Sequence, residues 1–188
     1  MTPPATDTRD SILTRAVELA STDGLEGLTI GRLAGELGLS KSGLFGHFGS
    51  KEELQLAAVR EARRVFTREI VTPALDEEPG APRLRALCER YFDYLERPAF
   101  PGGCFMAAAA AEFDGRPGPV RDAVADATGA WLEGLALEAR RAGVEDPERL
   151  AFEVHSYALG ANTRFQLLGD RDGFALARRA LERRLQPP

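Results

Sequence analysis

The chain has 188 residues, 44% of them hydrophobic and 28% charged, with a net charge of −5. That is the composition of a soluble globular protein, long enough for one compact unit or a small domain joined to a larger one, and no apolar run approaches the ~20 residues of a membrane helix. Two cysteines and two histidines offer no metal-ligand spacing, nucleophilic triad or phosphate loop, so neither catalysis nor a metal or other cofactor is expected.

Met1-Thr2-Pro3-Pro4-Ala5 carries neither a basic start nor an apolar signal core, which predicts a cytoplasmic protein. The first helix is predicted from Thr8 to Asp23, with Ile12, Leu13, Ala16, Val17 and Ala20 on one face and Gly24 as its stop. Thr29 then caps a short helix whose Leu33, Ala34 and Leu37 share a face. Gly38 suits a chain that must leave a helix with positive φ. Ser40 caps a third helix, with Leu44, Phe45 and Phe48 on its buried side and Lys41, Ser42, Gly43, Gly46 and His47 on the other. Ser50 and Glu53 read as a capping box that starts a fourth helix, with Lys51 in its first turn. Two short helices about a glycine turn make a helix-turn-helix, in which the second helix enters the major groove of DNA. The local charge from Leu28 to Lys51 is +2, modest but of the right sign for phosphate.

The run Gly38-Leu39-Ser40-Lys41-Ser42-Gly43-Leu44-Phe45-Gly46-His47-Phe48-Gly49-Ser50-Lys51-Glu52-Glu53-Leu54 resembles the DNA-reading signature of TetR-like transcriptional repressors, and the similarity covers roughly residues 9–60. The resemblance implies an all-helical homodimer. Residues 1–55 are then the DNA-binding domain, and residues 56–188 a ligand-binding and dimerisation domain. It also implies DNA contacts from Thr29, Lys41, Ser42, Gly43, Phe45, Gly46, His47 and Lys51. One departure stands out. The family usually has a tyrosine at Phe45 whose hydroxyl reaches a phosphate; Phe45 keeps the ring for packing, and His47 is placed to donate to phosphate or base instead.

The fourth helix is predicted to run from Ser50 to about Val71, with Arg60, Arg63, Arg64 and Arg68 on a solvated face. Thr72-Pro73 through Ala81-Pro82 reads as a break. Five more helices follow: Arg83 to Arg97, Cys104 to Phe113, Val120 to Ala142, Glu148 to Leu168 and Asp172 to Leu185. With no strand alternation anywhere, the fold class is all-α with about nine helices. Ala158, Gly160 and Ala161 of the eighth helix permit close approach, and Phe174, Ala177, Leu181 and Leu185 line the ninth, with Arg178, Arg179, Arg183 and Arg184 outside. Two such helices per chain suit a four-helix dimer interface.

A dimer reading two half-sites predicts a palindromic operator in double-stranded DNA, with repression by promoter occlusion. Phe66, Tyr91, Met106, Phe113, Trp131, His155 and Asn162 are the candidates to line a pocket for a small-molecule effector, since apolar walls with a few polar fixtures are what such a site needs. Two other readings stay open. Cys104 follows Pro101-Gly102-Gly103 near a helix N-terminus, where the dipole lowers a thiol pKa, which suits an oxidant- or electrophile-sensing repressor; with no cationic partner beside it in the sequence, it also reads as simple packing. The other is a helical ligand-binding protein or enzyme without DNA binding. Cys88 reads as a small core residue.

Overall fold

The computed structural model describes residues 5–97 and 99–185, with side chains from residue 9 onward; the N-terminal start read above and Pro98 lie outside these. Every regular element among the described residues is helical. In chain order they are α1 (Ala5–Asp23), α2 (Ile30–Leu37), α3 (Lys41–Phe48), α4 (Lys51–Phe66), α5 (Ala81–Glu96), α6 (Phe105–Phe113), α7 (Pro119–Arg141), α8 (Pro147–Leu168) and α9 (Asp172–Leu185). No described helix is long and apolar enough to cross a membrane.

α4 does not stop at Phe66. It continues through a π-helical turn, Thr67–Val71, into a last turn, Thr72–Ala74. The expected break at Thr72-Pro73 is therefore absorbed rather than enforced. Pro73 has no N–H, and its ring crowds the carbonyl four residues back. Widening the preceding turn relieves this, and the Thr72 N–H reaches back five residues to the Thr67 carbonyl.

The chain divides into two compact units, residues 1–64 with 100–126 and residues 65–99 with 127–188, so the divisions fall inside α4, between α5 and α6, and inside α7. In the first unit the expected face of α1, Ile12 through Ala20, is buried together with Leu25, Leu28, Leu33, Leu44, Phe48, Leu54 and Phe105. The loop before α6 lies directly on the end of α1: a Cβ at Gly102 would stand 1.7 Å from the Ser21 carbonyl oxygen. Only glycine fits there.

In the second unit α5 buries Leu84, Leu87, Cys88, Tyr91, Phe92, Tyr94 and Leu95. Its N-terminus is held by the buried carboxylate of Glu138 on α7, which accepts the Gly80 N–H at 2.7 Å and pairs with Arg141 at 2.6 Å. α8 and α9 cross closely, with Gly173 packed where a Cβ would lie 3.2 Å from the Ala161 Cα. Arg178 was expected outside this packing but is partly buried. It bridges α9 to α5 through Glu89, Asp93 and Glu96 at 2.9, 2.7 and 3.1 Å, with its guanidinium over Phe92.

Cys104 is packed in the core, which speaks against the reactive-thiol alternative. It stands before α6, and the Ala107 and Met106 backbone N–H groups do lower its pKa, but the side chain is only 4% exposed and burial pushes the thiol up. Desolvation of the thiolate outweighs the helix end. Cys88 is likewise raised by burial. Both thiols therefore hold protons in the folded chain that the unfolded chain releases above about pH 8.5. Their stabilising effect is complete below that pH and declines as pH rises above it. Urea unfolding at pH 7 and pH 10, repeated on a Cys88→Ala, Cys104→Ala variant, checks this: the alkaline loss should shrink in the variant.

Candidate DNA interface and effector core

The reading head is built from local capping. Thr29 Oγ1 accepts the Arg32 N–H at 3.2 Å, Ser40 Oγ accepts the Gly43 N–H at 3.1 Å, and Ser50 Oγ accepts the Glu53 N–H at 3.0 Å. Gly38 closes α2 with φ 64°, and its Leu39 neighbour donates to the Ala34 carbonyl. The expected capping box at α4 is only half formed, because the Ser50 N–H goes to the Phe48 carbonyl instead of the Glu53 side chain.

α3 buries Leu44 and Phe48, one turn apart, and exposes Lys41, Ser42, Gly43, Gly46 and His47 as expected. Phe45 is the correction. It was expected on the buried side but is 56% exposed. A two-turn helix has one inner stripe, filled here by positions 44 and 48, and position 45 is rotated ~100° away from it. An exposed phenylalanine beside Gly46 is poorly explained by packing within the chain.

The other expected DNA residues have partners inside the protein. Thr29 is half-buried with its oxygen in the cap, and Lys51 is paired with Glu26 at 2.5 Å. Arg32 is paired with Asp23, and Arg15 with Glu36, whose carboxylate is lowered by that bond. Lys41 lies along Gly31, where a Cβ would meet its Cε at 3.2 Å, and has no carboxylate partner among the described residues.

The pocket candidates fall in both units. Met106 and Phe113 sit on α6 in the first, Phe113 buried beneath Arg116. In the second, Phe66 packs edge-on against Tyr91, Tyr94 and Trp131 with ring centroids 5.7, 5.6 and 5.1 Å apart. Tyr91 meets Trp131 at 5.0 Å and lies parallel to His155, whose Nδ1 is 3.5 Å from the tyrosine hydroxyl. Burial lowers the His155 pKa and so favours the neutral ring. Asn162 is two turns further along α8. Trp131 Nε1 and Asn162 Oδ1 are buried with no hydrogen-bond partner among the described residues, one donor and one acceptor. The sequence reading missed Tyr94, although its place three residues after Tyr91 is a helical-face signal. It also missed Glu112, whose partners are 86 and 87 residues away and leave no local trace.

Residues 12–58 match the family model described as bacterial regulatory proteins, tetR family, and residues 80–181 match the tetracyclin repressor-like C-terminal domain. The class C tetracycline repressor protein of Escherichia coli is 37% identical over 70 residues, which are 37% of this chain and 32% of that protein; the match thus spans about a third of that relative. A TetR transcriptional regulator from Chloroflexus aurantiacus J-10-FL has a TM-score of 0.83 at 27% identity, over 94% of this chain and 92% of that one. AibR, solved with isovaleryl coenzyme A and operator DNA, shares the fold with a TM-score of 0.74 at 20% identity, over 93% of this chain and 96% of its own. The C-terminal match alone spans more than half of the chain, which therefore belongs to the TetR family of transcriptional regulators.

Proposed function

We propose that the chain works as a homodimeric repressor: residues 1–55 bind a palindromic operator, and a small molecule held by residues 56–188 releases it. The observation that carries this reading is the outer face of α3. Lys41, Ser42, Phe45, Gly46 and His47 are all exposed on a helix whose inner face and both ends are already closed. Such a face has nothing left to do within the fold and has the size of a major-groove reader. No catalytic role is assigned. A DNA partner implies a cytoplasmic site of action.

The dimer rests on α8 and α9. Phe152, Leu167, Leu168 and Leu176 are 68%, 77%, 68% and 47% exposed, an unusual apolar load for a free surface. Beside Leu176 runs a groove of about 610 Å³ in which small residues such as Gly160, Gly173 and Ala177 are rimmed by Arg164, Arg179 and Arg183. The same pair of helices from a second copy fills such a face around a two-fold axis.

The effector reading rests on the aromatic core around Trp131 and on its unpartnered donor and acceptor, and the AibR complex supports it by carrying an acyl-coenzyme A and DNA on one fold. Release requires the effector to bind the DNA-incompetent state more tightly. We place that switch in a movement of α4 that changes the spacing of the two recognition helices.

Selection from a random duplex pool, followed by anisotropy titration at two salt concentrations, tests the operator: a palindrome should emerge, and failure to enrich one would sink the reading. On that palindrome Lys41→Ala should weaken binding and flatten the log K against log salt slope by about 1 per subunit. Phe45→Tyr should tighten binding about fivefold per half-site, one hydrogen bond to phosphate. Leu176→Glu should yield monomers in sedimentation equilibrium and lose tight binding. Trp131, the chain's one tryptophan, reports on the effector: a compound that releases DNA should also change its emission.

A further inference from the structure

We infer that Glu112 is a positioning residue for operator binding, because its carboxylate fixes the turn from which the helix-turn-helix is hung. Glu112, on α6, accepts the Leu25 N–H at 2.7 Å on one oxygen and the Glu26 N–H at 2.9 Å on the other. Both donors lie in the α1–α2 turn. Two adjacent N–H groups converging on one carboxylate form a charge-assisted pair, stronger and more directional than neutral bonds.

The glycines show that this approach is built in. Gly24 has φ 82°, and a Cβ there would stand 3.0 Å from the Glu112 Oε1. A second contact lies alongside, where Ser21 Oγ accepts the Gly102 N–H at 3.1 Å. The turn is held from α4 as well: Gln55 donates to the Leu25 carbonyl at 2.8 Å, and Lys51 pairs with Glu26. Leu25 itself is 1% exposed. From this clamp the chain runs through one tight turn, closed by the Leu28 N–H on the Leu25 carbonyl, to the α2 cap at Thr29. So short a connection leaves α2 little freedom to reorient, and α3 is fixed to α2 through the Gly38 turn.

Glu112 lies in the C-terminal family segment and the turn in the N-terminal one, yet both are in the same compact unit. A displacement of α6 must therefore carry the turn with it or break two hydrogen bonds. None of these groups faces outward on α3, so the effect on DNA is through orientation and not through contact.

This inference rests on the operator reading above, and its test separates the two. Full-length Glu112→Gln keeps one acceptor and turns an amide N–H₂ toward the other donor; Glu112→Ala removes both. In each, the Leu25 and Glu26 amides should exchange hydrogen about tenfold faster, with Leu33 and Leu54 unchanged. Affinity for the palindrome selected with the wild type should fall about tenfold or more. Affinity for a scrambled duplex, and the salt slope, should stay as they are, because no phosphate contact is lost. Palindrome affinity within about twofold of wild type would overturn the role. So would a parallel loss on both duplexes, or failure of both variants to fold, since each marks Glu112 as merely structural. A wild type that selects no palindrome would instead fail the operator reading, and this inference with it.

Discussion

An eight-residue helix does not hold itself in water, and α2 and α3 are both eight residues long. Their stability has to come from closed ends and one buried stripe each. Thr29 and Ser40 take the orphan N–H groups, Gly38 and Gly49 turn the chain with positive φ, and Leu33, Ala34, Leu44 and Phe48 supply the stripes. Because this set is sufficient, the outer face of α3 carries no structural duty. That is why an exposed phenylalanine, two glycines, a lysine and a histidine can stand side by side there. In a helix that needed its outer face for packing or intrinsic propensity, that composition would be costly.

Both units also use a carboxylate to anchor backbone N–H groups across long sequence separations. Glu138 holds Gly80 ahead of α5, and Glu112 holds Leu25 and Glu26 ahead of α2. In each case a glycine with positive φ sits where a side chain would block the approach: Gly80 against the α7 end, Gly24 against Glu112 itself. A charged acceptor on buried or half-buried N–H groups is worth about 1.5–3 kcal/mol, more than an exposed ion pair. These anchors fix where a helix begins, which hydrophobic contact alone leaves loose, since apolar burial has no direction.

What was legible in the sequence was what is decided locally. Cap residues, left-handed glycines and the apolar spacing of α1, α5 and α9 depend on neighbours within a turn or two, and apart from the Glu53 half of the α4 capping box they stand where the spacing puts them. Phe45 departs from the expected buried side because hydrophobicity alone does not decide burial: on a two-turn helix the stripe is complete without it. Pro73 was taken as a stop because the accommodating π turn leaves no mark in composition. For Cys104 the sequence shows the helix end beside it but not the burial that decides between a reactive and a packed thiol, because residues far away in the chain supply that burial. Glu112, Glu138 and Arg178 were out of reach for the same reason: nothing nearby announces their partners. The aromatic core lay between these cases, since Phe66, Tyr91 and Trp131 were visible as candidates but their mutual packing was not.

The electrostatics of the reading head follow from the same pairing. The +2 counted along Leu28 to Lys51 is not what the surface presents, because Arg32 is tied to Asp23 and Lys51 to Glu26. Lys41 and His47 are left as the basic side chains on the outer face of α3. With so few cations on this face, phosphate contacts there are few, and the net charge of −5 adds no general attraction to DNA. In the proposed homodimeric reading, groove contacts, helix N-termini and the pairing of two half-sites then carry most of the binding. Since competing sites vastly outnumber any operator, the ratio of specific to non-specific affinity matters more than affinity itself. For the proposed operator, an acidic composition, which at first argues against a nucleic-acid partner, favours a high ratio.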